Sequence, residues 1–350
     1  MRRAGGVRQA GSVRQAGSVL RAGGRLRGLP LVALAGLLAG CGLFTPPAAV
    51  SAGGQPSAST ASPSSAPYNM SALLNTTSGK FLGIEANGAP NSLAPLASFA
   101  ANTGRKPNLV GQYMPWGNPF DASEVTSAWS YGALYYMAWE PFGISVQAIA
   151  AGHADSYITQ FATAVRSLNL PIALSFGHEM NGNWYPWGTE QTTPAQFVAA
   201  WRHIHDLFAR AGASNVIWVW NPNIINPMPQ VRLRPYWPGK SYVNWVGLTG
   251  YFATTGPQTY ATLYQPTMTE IRRFTGKPFI IAETAIETGP AEVACARQLL
   301  DAVTQHPDVL GFMWFDYNKG GVDWRVESRP ILRAAIASDI AGLPLINPRK

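Results

Sequence analysis

Glu179 and Glu283 are the residues whose type and setting point most directly to chemistry. Glu179 follows the apolar run PIALSF (171–176) in the segment GHEMNG, and Glu283 ends the run PFIIAE (278–283). A carboxyl in such surroundings costs free energy unless it has a partner or a task. Two carboxyls in different environments, one kept protonated and one ionised, can serve as general acid and as nucleophile. The competing reading for each is a structural ion pair or a solvent-exposed strand-end acid, the usual situation of a charged side chain.

The elements that must position them follow from the apolar pattern. Besides the two runs above there are FLGIE (81–85), NLVGQYM (108–114), GALYYMAW (132–139), VIWVW (216–220), WVGLTGYF (245–252) and VLGFMWF (309–315). Each is continuously apolar, as expected of parallel strands buried on both faces. Helical patterns lie between them. The clearest, 193–211, opens with Thr193-Pro194-Ala195-Gln196, an N-cap, a first-turn proline and a capping-box glutamine. Phe197, Trp201, Ile204 and Phe208 then form one stripe. Eight strand–helix units in about 280 residues predict an α/β fold, a (β/α)₈ TIM barrel. An open doubly wound sheet is the alternative, weakened because no glycine-rich phosphate loop follows the first strand.

Chemistry in such a barrel sits at the C-terminal ends of the strands. Glu85, Gln112, Tyr113, Trp116, Trp139, Glu140, His178, Glu179, Asn181, Asn221, Tyr251, Glu283 and Trp314–Tyr317 all fall there. A rim rich in acids and aromatics suits a sugar, because rings stack on pyranose CH groups while carboxylates and amides bind hydroxyls. Strands 4 and 7 face each other across the mouth, and retaining glycosidases need two carboxyls ~5–5.5 Å apart. Trp116, Trp184, Asn181 and Glu140 are candidates for binding the sugar. For Glu140 and Glu85 a structural pairing with Arg is an equal alternative.

Other chemistries find less support. His178-Glu179 lacks the second histidine that a helical zinc motif needs four positions on, where Gly182 stands. No serine nucleophile elbow stands out. Cys295 lies in a helical pattern with no base nearby and reads as a small buried apolar residue. Neither a metal nor a cofactor is expected.

GHEMNGNWYPWG (177–188) resembles the strand-4 signature of glycoside hydrolase family 26, whose typical members are β-mannanases. The resemblance covers about residues 80–330 and implies a (β/α)₈ barrel with a retaining mechanism. It assigns the acid/base role to Glu179 and the nucleophile role to Glu283 in IIAETA. It further implies that His178 sits in the −1 subsite and that Tyr251 hydrogen-bonds the nucleophile. Trp184 would stack on sugar and Trp314 would floor the −1 subsite. The chain departs from the mannanase pattern in lacking a Trp-rich WFWWG-like stretch and an Arg shortly before the histidine. The family also acts on mixed-linkage β-glucan and β-1,3-xylan. The expected function is therefore endo-hydrolysis of β-1,4-mannan, glucomannan or galactomannan, with those two polymers as alternatives. A non-catalytic glycan-binding lipoprotein is the remaining reading, disfavoured because both carboxylates are present.

The N-terminal segment bears on location. Residues 29–40, LPLVALAGLLAG, form an apolar run too short for a comfortable membrane span. With an arginine-rich flank it reads as a secretory signal peptide over 1–40. Leu38-Ala39-Gly40-Cys41 resembles the bacterial lipobox, which implies lipidation at Cys41 and attachment to the outer face of the cell membrane. Residues 41–67, rich in Ala, Ser, Pro and Gly, read as a flexible tether. The globular domain is expected over 68–350, with a monomer as the default. Seven of the 26 basic residues precede Cys41, leaving 19 against 18 acidic, so the formal charge of +8 does not mark a nucleic-acid binder.

Overall fold

The computed structural model describes residues 67–75 and 79–349. The proposed signal peptide, Cys41 and the tether up to residue 66 lie outside the described residues. Eight parallel strands close into a barrel in sequence order, β1 also pairing with β8. They are β1 Phe81–Ala86, β2 Leu109–Pro115, β3 Leu134–Glu140, β4 Ile172–Phe176, β5 Val216–Trp220, β6 Trp245–Thr249, β7 Phe279–Thr284 and β8 Val309–Asp316. The helices are α1 Ser71–Leu74, α2 Ala94–Thr103, α3 Ala122–Tyr131, α4 Val146–Ala150, α5 Asp155–Leu168, α6 Pro194–Ala211, α7 Tyr260–Leu263, α8 Gln265–Arg272, α9 Glu292–Gln305 and α10 Pro330–Ile340. The expected (β/α)₈ barrel is thus the observed fold.

Strand alternation divides the core into two layers. Phe81, Leu109, Leu134, Tyr136, Ile217, Trp245, Ile280 and Met313 belong to the inner cluster filling the barrel. Leu82, Ile84, Val110, Met137, Leu174 and Phe176 belong to the larger cluster under the helices. Helix α6 shows the local logic. Thr193 and Gln196 form the capping box that the sequence announces, worth about 1 kcal/mol. Phe197, Trp201, Ile204 and Phe208 are buried, each contributing ~1.5–3 kcal/mol. Gly212, in the left-handed region, ends the helix.

Two irregularities matter at the mouth. Strand β6 stops at Thr249, three residues before the apolar run ends, and Gly250 N–H donates to the Glu283 carbonyl instead. Opposite it, β7 carries a register shift that pairs Leu248 with Ile281 but Thr249 with Glu283. This bulge puts Ala282 and Glu283 on the barrel side in succession. After β8 comes a short hairpin of β9 Asn318–Lys319 and β10 Val322–Asp323. Its two-residue turn, Gly320-Gly321, has positive φ at both positions, the requirement of a primed turn.

Candidate active site

Glu179 stands just beyond β4, where Gly177 and Glu179 both adopt left-handed backbone conformations. For a non-glycine residue this costs about 1–2 kcal/mol and persists only where the surroundings impose it. Glu179 N–H donates to the Asn221 carbonyl at 2.7 Å, and Gly182 N–H donates to the Glu179 carbonyl at 2.9 Å. The strained turn therefore fixes the carboxyl. Its Oε2 accepts from Trp184 Nε1 at 2.7 Å and its Oε1 accepts from Asn223 Nδ2. Burial and then the negative charge of Glu283 push its pKa up to about 8, against the pull of those two donors. Both causes favour the protonated form of Glu179.

Glu283 reaches the same mouth from the β7 bulge. Tyr113 of β2 donates to its Oε2 at 2.6 Å, and Tyr251, in the loop after β6, donates to its Oε1. Burial raises its pKa, while Tyr113, Tyr251 and Lys319 pull it down. The charge of Glu283 raises Glu179. Glu283 accordingly ionises first, and its charge helps Glu179 hold its proton.

His178 is buried, with Nε2 3.3 Å from the Tyr185 hydroxyl and Nδ1 without a partner. Burial, then Lys319, push its pKa down to about 3, so the ring is neutral. Trp187, stacked on Tyr185 at 4.4 Å, donates to the His178 carbonyl. Glu140 ends β3, is 1% exposed, and its field raises both Glu85 and Glu179. Among the described residues no group of three or more His, Cys, Asp or Glu could hold a metal ion.

Three expected sugar contacts are placed differently. Trp314 pairs in register with Ile84, on the helix side of the sheet, and is 1% exposed. Its Nε1 donates to the Trp324 carbonyl. It packs beneath the helices, while Phe315, in register with Glu85, takes the barrel side. Asn181 spends its amide on backbone: Nδ2 donates to the Asn223 carbonyl at 2.9 Å and Oδ1 accepts from Asn223 N–H at 2.8 Å. Trp116 stacks on Trp139 at 4.5 Å, edge-on to Tyr157 and Phe176, as an extension of the outer aromatic layer. Glu85, weighed against an Arg pairing, instead meets the Tyr113 hydroxyl.

Asn223, Lys319 and Trp324 were not singled out from the sequence, and Tyr113 was placed at the rim without a role. Tyr113 shares strand parity with Leu109 and Gly111 on the barrel side, a signal that could have assigned it to the site. Asn223 lies in the loop after β5. Lys319 precedes the Gly-Gly turn and brings Nζ 6.0 Å from the Tyr113 ring centre. The Trp324 ring lies 5.1 Å from that of Tyr251.

This arrangement can be compared with known proteins. The model of the glycosyl hydrolase family 26 matches residues 147–281, which include Glu179 and stop two residues before Glu283. Endoglucanase H of Acetivibrio thermocellus is 31% identical over 281 residues, 75% of this chain. The chain belongs to glycosyl hydrolase family 26. Mannan endo-1,4-β-mannosidase A and B of Caldalkalibacillus mannanilyticus is 31% identical over 41% of the chain. The matched segments make up 30% and 28% of the lengths of these two relatives, so the chain spans less than a third of either. A family 26 β-mannanase structure from Bacteroides ovatus superposes with a TM-score of 0.60 at 14% identity, covering 80% of this chain and 95% of that one. At that identity the likeness concerns the fold.

Proposed function

We propose that the protein is a retaining endo-β-glycanase in which Glu179 is the acid/base and Glu283 the nucleophile. One observation carries the reading: a buried carboxyl, fixed by a strained turn and two donors, shares the barrel mouth with a second carboxyl held by two phenols. Glu179 gives its proton to the glycosidic oxygen as Glu283 attacks the anomeric carbon, so the leaving sugar departs as a neutral alcohol. Glu179, now ionised, takes a proton from water, and the hydroxide oxygen displaces Glu283 with net retention. Neutral His178, with Nδ1 free, and Trp184 and Tyr251 would meet the sugar between the two carboxyls.

The substrate is a β-linked polysaccharide. Mannan, the backbone that the resemblance implied, is supported by relatives named mannosidases. β-Glucan is supported by the relative named endoglucanase, and the longer match favours the glucan. A reducing-sugar assay on residues 68–350 with galactomannan, glucomannan, mixed-linkage glucan and β-1,3-xylan tests the reading. Release from one polymer family supports it and names the backbone, whereas a folded protein that cleaves none of them contradicts it.

The lipobox-like segment extends the proposal to location: the barrel is tethered through lipidated Cys41 to the outer face of the cell membrane, as a monomer. Metabolic labelling with a fatty acid checks this, with label expected on the parent and lost in Cys41→Ala.

A further inference from the structure

The Tyr113 hydroxyl oxygen lies 2.6 Å from Oε2 of Glu283 and 3.1 Å from Oε2 of Glu85. A phenol has one proton to give. It cannot serve two carboxylates, so one of the two carboxyls must itself bring a proton to the phenol oxygen. The shorter contact is to Glu283, whose other oxygen already takes the proton of Tyr251. The extra proton then belongs to Glu85.

The surroundings of Glu85 agree. It projects from β1 into the barrel and is 1% exposed, against 8% for Glu283. Its side chain crosses β2 at Gly111, its partner in the ladder. A Cβ at position 111 would come within 2.4 Å of Glu85 Cγ, 2.6 Å of Glu85 Oε1 and 2.7 Å of Met313 Sδ. Glycine at 111 makes the room, and the thioether gives that side of the carboxyl an apolar wall, where the neutral form is favoured. Of the charged groups facing it, Glu283 and Glu140 also favour the proton, while Lys319 opposes it.

We propose that Glu85 is a carboxylic acid kept protonated at neutral pH, which donates to Tyr113 so that Tyr113 donates to Glu283. Glu85 is a positioning residue. Its O–H orients the phenol and polarises the Tyr113 O–H, strengthening the hydrogen bond that holds the nucleophile ionised and aimed. Neither Glu85 nor Tyr113 gives up its proton during the reaction. A neutral acid also lets one more buried carboxyl join Glu140, Glu179 and Glu283 at the mouth without adding a further negative charge next to the nucleophile. The role assigned here rests on the nucleophile reading of Glu283, but the protonation state does not.

Infrared difference spectroscopy of the parent minus Glu85→Gln at pH 7, without substrate, tests the protonation state directly. The account expects the substitution to remove one protonated-carboxyl C=O stretch, the Glu179 band being common to both proteins. Loss of a carboxylate stretch instead would overturn it. Kinetics on the cleaved polymer test the role. Glu85→Leu should lower kcat about tenfold with little change in KM, and Glu85→Gln, which keeps a donor, should restore most of it. In a Tyr113→Phe background Glu85→Leu should cost nothing more. Additive losses, or a raised KM in Glu85→Gln as for a sugar contact, would overturn the role. If the Leu variant does not fold, the spectrum and the Gln variant still decide.

Discussion

Asn181 and Asn223 exchange two hydrogen bonds between the loops after β4 and β5, and this exchange aims the Asn223 amide at Oε1 of Glu179. Asn223 donates to the ionised form and so holds the pKa of Glu179 down. Its removal must raise that pKa further. Asn223→Ala is expected to move the alkaline limb of kcat/KM to higher pH and to lower kcat about tenfold. Asn181→Ala should shift the limb in the same direction and cost about 1–3 kcal/mol of stability through the unpaired buried Asn223 N–H. A change in KM alone for Asn181→Ala would restore it to the sugar-binding residues. The pH dependence of kcat/KM for both variants is the check.

Tyr251 acts on the other carboxyl with the opposite consequence for the profile. Its hydroxyl donates to Glu283 and lowers its pKa. In Tyr251→Phe the pKa of Glu283 rises, and the acid limb of kcat/KM moves to higher pH. A loss of roughly ten- to a hundredfold in kcat is expected. An unmoved acid limb would separate Tyr251 from the nucleophile.

The raised pKa of Glu179 has a price in stability with a defined sign. The folded protein holds a proton that the unfolded chain releases near pH 4.3, about the ordinary Glu value. This contribution is fully present below that pH and is lost as pH rises through the folded value of about 8. Glu179→Gln removes the dependence. Thermal melts should show the variant gaining on the parent as pH goes from 5 to 8. A parallel course of the two curves would contradict the assignment.

Trp314 separates packing from binding. Placed under the helices rather than at the mouth, it should behave as a core residue. Trp314→Ala is expected to lower stability by about 3–5 kcal/mol. Trp314→Phe, which retains most of the volume, should leave KM near the parent value. Chemical denaturation paired with a KM measurement checks both, and a KM effect without a stability effect would return the ring to the sugar site.

Much of this fold is legible in the sequence because burial on both faces leaves a direct trace. All eight continuous apolar runs became strands, and Thr193 to Gln196 marked the start of α6 correctly. Strand order alone then put Glu179 and Glu283 at one mouth. The rest depended on relationships that composition does not carry. The β7 bulge, which turns Glu283 inward, and the early exit of β6 at Gly250 arise from pairing between strands. Trp314 and Phe315 are adjacent aromatics, and only the register with β1 says which faces the mouth. Asn181 looks like a free amide until Asn223 is folded against it.

The central claim is that Glu179 and Glu283 act from opposite sides of the sugar. Azide rescue tests it most directly, with an aryl β-glycoside of the backbone that the polymer assay identifies. In Glu179→Ala, azide should enter where the acid/base stood and give the β-glycosyl azide. In Glu283→Ala, it should enter where the nucleophile stood and give the α-glycosyl azide. Opposite anomers from the two variants are the predicted result. The same anomer from both, or full activity without azide in either, would contradict the account.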